Sequence, residues 1–377
     1  VRLAFLSIGR HIHTERWVTW FVRRGYDCHL LTVQPGPVPG VAVHDIRAGG
    51  GPKPLRYGFS LLRVRELLRR LRPDLLNTHF LTGYGYWGHF SGFHPNLLTV
   101  WGDDVYLTPH ENRLKGWLAS RALRSCDALT GDSVDILRHA ASLGADPARA
   151  YRVLWGVDFE RFRSRDDRAW RRDLGFADED IVYFSPRSFT QPYYNVDVVI
   201  EAAREVRERV PRARFLFAGY EGDPAPFWDL ARRAGIDDIS VFRGRLPHDE
   251  FARALAGCDV FISVPSVDAT AVSLLEALAS GCAVVASSLA SSLEWVRDGE
   301  TGLVVPPRDE AALVEVLVRL GKEPGLRRRL GEAAARAVRP VAGFDRNMAW
   351  AEQLVLHLVA GEPAPAEISL PRLEGGG

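Results

Sequence analysis

The chain has 377 residues and a formal net charge of +1, with 46% hydrophobic and 25% charged residues, which suits a globular protein with room for two cores. No apolar run approaches the roughly 20 residues that cross a bilayer, and the first residues carry no signal-peptide pattern, so a cytoplasmic protein is expected. The first 160 residues hold 20 basic and 14 acidic side chains and the remainder 28 and 33, a balance unlike that of a strongly basic nucleic-acid binder.

In chain order, a strand is expected over residues 3–8, running into Gly9, followed by a helix over 14–24 that Gly25 ends. A strand over 28–33 leads into a Pro- and Gly-rich loop, 35–54, and then a helix over 59–71. Further short apolar strands are expected over 75–78, 97–100 and 128–130. The pattern then restarts, with strands over 181–185, 214–218, 240–243, 260–264 and 283–286, and helices between them such as 196–210. Strands alternating with helices imply a parallel, doubly wound sheet covered on both faces. The expected fold is therefore α/β with two facing Rossmann-like domains, 1–160 and 161–342. Ligands of such sheets bind at the carboxyl ends of the strands, so a cleft between the domains is expected to hold the site. A helix within 343–360 is expected to pack back on the first domain, and 361–377 to form a disordered tail.

The stretch 260–286 carries the most chemistry. It reads as a buried strand, a polar loop, an amphipathic helix, a Gly stop and a second buried strand. Asp268 lies in the loop and Glu276 on the helix, and Thr270 is the expected N-cap. Unpaired amides in a helix's first turn attract anions, while a carboxylate further along accepts hydrogen bonds from hydroxyls. Phosphate at the amides with hydroxyls at the carboxylates describes a nucleotide-sugar site. The four cysteines, Cys28, Cys126, Cys258 and Cys282, show neither metal-ligand nor redox spacing and read as buried free thiols. Asp103-Asp104 at a strand end reads as a turn or cap rather than a metal site.

With these motifs in order, the chain resembles the retaining GT-B glycosyltransferases of family 4 over nearly its whole length. The resemblance rests on Asp268 and Glu276 with the run that follows to Ala286, on the block 294–309, and on Gly244-Arg245-Leu246. In the first half it rests on the loop from Asn77 through His79 to Gly85, on His11 to Val18, and on Gly156-Val157-Asp158. It implies that Glu276 binds the donor ribose, while Asp268 and the backbone of Ala269, Thr270, Ala271 and Val272 meet the donor sugar and diphosphate. Gly244, Arg245 and Leu246 would read the nucleotide base through their backbone, and Arg187 would neutralise the diphosphate. His79 would sit beside the donor sugar, with Gly9, His11, His13, Trp101 and Asp103 on the acceptor side. No metal and no cofactor are implied. The co-substrate would be a nucleotide-diphosphate sugar, and the acceptor a glycan, a lipid-linked molecule or a small molecule.

The chain departs from the family pattern at three places. Asp268 stands where Glu is usual, Trp101-Gly102 replaces a His-Gly, and Tyr194-Asn195 occupies the place of a Lys-Gly whose cation helps to hold the diphosphate. That loss leaves a second reading open, a catalytically silent nucleotide-sugar-binding subunit of a glycan-assembly complex. A nucleotide-sugar epimerase of the same fold is a third. A phosphorylase would carry pyridoxal phosphate on a lysine, and this chain has only Lys53, Lys115 and Lys322. The helix at 59–72 is basic and amphipathic: residues 53–72 hold seven basic side chains and one acidic. It is either a core helix with a solvated face or a peripheral contact to anionic lipid.

Overall fold

The computed structural model describes residues 1–47, 49, 52–164, 166–219 and 221–362. The expected tail therefore lies, from residue 363 onward, outside the described residues. The chain divides into two compact units, one formed by Val1–Trp155 with Asp345–Gly377 and the other by Gly156–Phe344.

The first unit is built on a seven-stranded parallel sheet of order β3-β2-β1-β4-β5-β6-β7. Its strands are β1 (Arg2–Leu6), β2 (Asp27–Thr32), β3 (Ala42–Asp45), β4 (Leu75–His79), β5 (Asn96–Thr99), β6 (Ala128–Gly131) and β7 (Ala150–Arg152). β4, β5 and β6 are buried at every position, as strands covered on both faces should be. The edge strands β3 and β7 fall outside the expected set. β3 lies inside the Pro- and Gly-rich segment and exposes Ala42 and Asp45, so it has no apolar run to announce it. The expected helix at 59–71 begins earlier, as Lys53–Leu71, because Pro54 tolerates the first turn, where no amide is needed. The last helix, Phe344–Ala360, belongs almost wholly to this first unit. Its Glu352 accepts hydrogen bonds from Trp20 Nε1 at 3.2 Å and Tyr26 Oη at 2.9 Å.

The second unit carries a six-stranded parallel sheet of order β10-β9-β8-β11-β12-β13. Its strands are β8 (Ile181–Ser185), β9 (Ala213–Ala218), β10 (Ser240–Arg243), β11 (Val260–Ser263), β12 (Ala283–Ser287) and β13 (Leu303–Val305). Only β13, three residues long, was not expected. Tyr183, Phe215, Ile262 and Val285 from the sheet pack with Val199, Val206 and Leu317 from the covering helices.

Both strand orders reverse direction once, between β1 and β4 in the first unit and between β8 and β11 in the second. At such a point the loops leaving two adjacent strands diverge to opposite faces and open a crevice at the carboxyl edge. Gly9 and His79 follow or end β1 and β4; Arg187 and Asp268 follow β8 and β11.

Candidate functional site

In the second unit, Arg187 leaves β8 and is 7% exposed. Its Nη1 donates to Asp268 Oδ2 at 2.8 Å and its Nη2 to Ser263 Oγ at the end of β11. The ring of Tyr194 lies 5.3 Å from its guanidinium carbon. Arg187 Nε is buried and has no hydrogen-bond partner among the described residues. Burial raises the Asp268 carboxyl above its usual range, against the opposing pull of Arg187 and the Ala269 amide. An arginine with a spare buried donor, held by one carboxylate, is suited to a multidentate anion such as phosphate.

The helix after Asp268 spans Val272–Ala279 with Ala271 at its N-cap and no side-chain cap bond. Thr270 is therefore not the cap. Its Oγ1 instead accepts a hydrogen bond from Trp295 Nε1 at 3.2 Å, which ties the loop to the segment after β12. Leu274 and Leu275 bond back to the Ala271 carbonyl, whereas Val272 and Ser273 stand in the first turn, ahead of any helical acceptor. Glu276 is the fifth residue of this helix and 4% exposed, with its Oε1 at 3.0 Å from His248 Nε2. Gly244, Arg245 and Leu246 form the loop between β10 and the helix His248–Gly257, the first two exposed and Leu246 half-buried.

Asn195 takes the left-handed conformation, with φ 54° and ψ 37°, at the place expected for glycine. A short amide side chain tolerates that region. Its Nδ2 donates to Val264 O and Ser266 Oγ, both at 2.8 Å, and its Oδ1 accepts from Arg308 Nη1 at 2.9 Å. The missing lysine is thus replaced by an aromatic ring against Arg187 and an amide that braces the loop before Asp268.

In the first unit the expected residues gather around a cluster of rings. His11 is the N-cap of the helix Ile12–Arg23, its Nδ1 accepting from the His13 amide at 3.2 Å. Its ring lies 4.7 Å from Trp101, and His13 stacks on Trp155 at 4.5 Å. Gly9 donates its amide to Thr32 Oγ1 at 3.0 Å, and a Cβ there would meet the Gln34 carbonyl at 2.7 Å.

His79 is fully buried, and both ring nitrogens are engaged. Trp101 Nε1 donates to Nδ1 at 3.4 Å, while Nε2 lies 3.0 Å from Asn77 Oδ1. Burial pushes this imidazole down to about 3, so it is neutral near pH 7. His79 is therefore a hydrogen-bonded core side chain that fixes Trp101 rather than an exposed group.

Asp103 opens the short helix Asp103–Tyr106, but its neighbour Asp104 organises the loops. Asp104 is fully buried and accepts from the Gly102 amide at 2.7 Å, the Trp101 amide at 3.1 Å and the Leu81 amide at 2.6 Å. It binds the loop after β4 to the loop after β5. Sequence reasoning saw the acidic pair but had no means to rank its members. The bond from Trp17 Nε1 to Asn77 Oδ1 joins a helix to a strand 60 positions away, and Trp155 stands in the loop after β7, so neither placement had a local signature.

Comparison with known proteins agrees with this architecture. The family pattern "Glycosyl transferases group 1" matches residues 166–337, and "Glycosyl transferase 4-like" matches residues 2–133. A D-inositol 3-phosphate glycosyltransferase from Nocardia farcinica is 33% identical, covering 89% of this chain and 81% of its own length. One from Kribbella flavida is also 33% identical, covering 70% of this chain and 63% of its own length. The matched part is 46% of the homologue from Streptomyces bingchenggensis, so the chain spans about half to two thirds of several such relatives. Among solved structures, sucrose-phosphate synthase from Thermosynechococcus elongatus has a TM-score of 0.82 at 17% identity, covering 96% of this chain and all (100%) of its own. Anabaena Alr3699/HepE in complex with UDP-glucose reaches 0.81 at 14% identity, covering 95% of this chain and 99% of its own. At such identities these likenesses establish the GT-B fold alone, with its two Rossmann-like units. Among the described residues no helix is long and apolar enough to cross a membrane. From the family patterns on both halves and the near full-length relative, the chain belongs to the group 1 glycosyltransferases, family 4.

Proposed function

We propose that this chain is a metal-independent, retaining glycosyltransferase that moves a hexose-type sugar from a nucleoside-diphosphate donor to an acceptor hydroxyl. The observation that carries the reading is the βα crevice of the second unit. There the spare Nε donor of Arg187, the first-turn amides of Val272 and Ser273, and the buried carboxylate of Glu276 follow from adjacent strands. Phosphate oxygens would satisfy the donors and ribose hydroxyls would meet the carboxylate. The complex of HepE with UDP-glucose, on the same fold, favours a UDP-sugar as donor. The names of the relatives favour a polyol or sugar phosphate among the acceptor classes.

In the reaction the bond from the sugar C1 to the diphosphate oxygen breaks and a bond from C1 to the acceptor oxygen forms on the same face. The acceptor proton passes to the departing phosphate oxygen. Arg187, the open amides and the helix dipole stabilise the charge that develops on the diphosphate, and Asp268 orients Arg187 and the sugar. Backbone of Gly244, Arg245 and Leu246 borders the base, and Ala269 to Val272 the diphosphate. Gly9, His11, His13, Trp101 and Asp103 serve the acceptor, with His79 holding Trp101 in place. Thermal-shift measurements with UDP-, GDP- and ADP-sugars should reveal a stabilising donor by mass action. Transfer from that donor to an added acceptor should follow with retained anomeric configuration. Binding without hydrolysis or transfer would instead identify a silent subunit, and stabilisation by none of these nucleotides would sink the reading.

A peripheral contact with anionic lipid is part of the proposal. The helix Lys53–Leu71 exposes Leu55, Phe59 and Leu62 by 59%, 56% and 57% beside Arg56, Arg69 and Arg70. Apolar side chains among cations suit the boundary between headgroups and acyl chains.

A further inference from the structure

Glu276 is held by a side chain outside every segment marked by the sequence. His248 opens the helix His248–Gly257, and its Nε2 lies 3.0 Å from Glu276 Oε1. On the other side of the ring, Nδ1 lies 2.6 Å from Arg161 Nη1. A guanidinium can only donate, so Nδ1 is the acceptor and the neutral ring carries its proton on Nε2, where it is donated to Glu276. Arg161 therefore selects the tautomer that serves the carboxylate. Arg161 is anchored in turn, its Nε 3.0 Å from Asp249 Oδ1, and Phe162 packs on the imidazole at 4.9 Å between ring centroids. The side chains of His248 and Glu276 are 27% and 5% exposed, so the pair is shielded from solvent. Glu276 makes no other side-chain hydrogen bond among the described residues, and its second oxygen, Oε2, is left as an acceptor.

We infer that His248, oriented by Arg161, is a positioning residue for donor recognition: it clamps Oε1 of Glu276 so that Oε2 is presented to the ribose hydroxyls. The inference rests on the reading of Glu276 as the ribose acceptor. An unclamped glutamate has two free side-chain torsions beyond χ1 and must be ordered when the donor binds. A clamped one is already in place.

The test compares UDP, GDP and ADP with their 2′-deoxy and 3′-deoxy counterparts by calorimetry on the full chain. For the nucleotide that binds, the wild type should discriminate against at least one deoxy form. His248→Leu keeps an apolar body against Phe162 but loses the donor. It should weaken binding of the ribonucleotide about ten-fold, as loss of a hydrogen bond to a charged group does. It should also shrink the ribose discrimination, and raise the donor KM more than it lowers kcat. His248→Gln, whose amide reaches the Nε2 position, should recover most of both. Arg161→Met, which leaves the His248 ring in place without its tautomer-setting donor, should move the same quantities by less. A His248→Leu protein that melts normally and keeps wild-type ribose discrimination overturns the inference. Should that variant fail to fold, wild-type ribose discrimination and donor affinity in Arg161→Met overturn it instead. If Glu276→Ala leaves discrimination intact as well, the site reading itself fails. If only the Glu276 variant loses it, the site stands and the clamp does not.

Discussion

Arg187 from the end of β8 and Asp268 from the loop after β11 form an ion pair at 2.8 Å, their side chains 8% and 19% exposed. The pair closes the crevice where the strand order of the second unit reverses, and it leaves Arg187 Nε without an acceptor. Removing one member of such a pair strands the other charge in a poorly solvated place. Asp268→Ala is therefore expected to destabilise the protein by about 3 kcal/mol in urea unfolding. A saturating nucleoside diphosphate should restore part of that loss, because its phosphates give Arg187 a new anionic partner. Transfer activity should remain low, since the carboxylate that orients the sugar is gone. Equal stability of variant and wild type without ligand would show the pair to be energetically idle.

Glu276→Ala should lower kcat/KM for the donor by about 100-fold, equivalent to the ~2.7 kcal/mol of a hydrogen bond to a charged group. Steady-state kinetics at varied donor concentration measures this directly. Full activity in the variant would remove Glu276 from the site.

Two buried groups in the first unit set opposite responses to acid. His79 falls from 6.5 to about 3 on burial, so the folded state refuses a proton that the unfolded chain accepts. Its contribution is complete above pH 6.5 and is lost, by up to ~1.4 kcal/mol per pH unit, as pH falls toward 3. Asp104 rises from 3.8 to about 6, chiefly through burial, so its contribution is greatest below pH 3.8 and is lost as pH rises toward 6. Between these limits the two largely offset each other. In His79→Phe the acid-sensitive part is absent, so the stability gap to wild type should narrow steadily from pH 6.5 down to 4. A gap independent of pH would show that His79 titrates alike in both states.

Lipid contact is expected to depend on both faces of the helix Lys53–Leu71. Vesicles containing phosphatidylglycerol should retain the chain at low salt and release it as screening increases. Phe59→Ser combined with Leu62→Ser should weaken retention without altering transfer to a soluble acceptor. No retention at low salt would remove the membrane contact.

Gly156 has a positive φ of 70°, and a Cβ there would lie 2.4 Å from Phe344 Cα. Backbone cannot give way as a side chain can, and Val157 pairs with Gly343 beside it. Gly156→Ala should cost several kcal/mol, of order 3, in a thermal or urea melt. A change below ~0.5 kcal/mol would contradict this packing.

Local pattern was enough for most of the fold. Apolar runs such as 181–185 and 260–264, punctuated by Gly25 and Gly281, located nearly every central strand and the duplicated sheet. Arg187, Asp268 and Glu276 were legible as candidate site residues because they follow strand ends or lie on the helix that comes next, the places where ligands of parallel sheets bind. The edge strands β3, β7 and β13 escaped because half-exposed or three-residue strands need no apolar run. Partnerships were a different matter, since they join residues distant in sequence. Arg187 meets Asp268 across 81 positions, Trp17 meets Asn77 across 60, and His248 meets Glu276 across 28. Local signals also misassigned Thr270, whose hydroxyl is claimed by Trp295, and they carried nothing about the full burial and neutral state of His79. Sequence alone thus determined which residues stand at the carboxyl edges of two parallel sheets. Only the folded chain decided their orientation, charge state and partners, because those depend on desolvation and on donors that packing brings in from elsewhere.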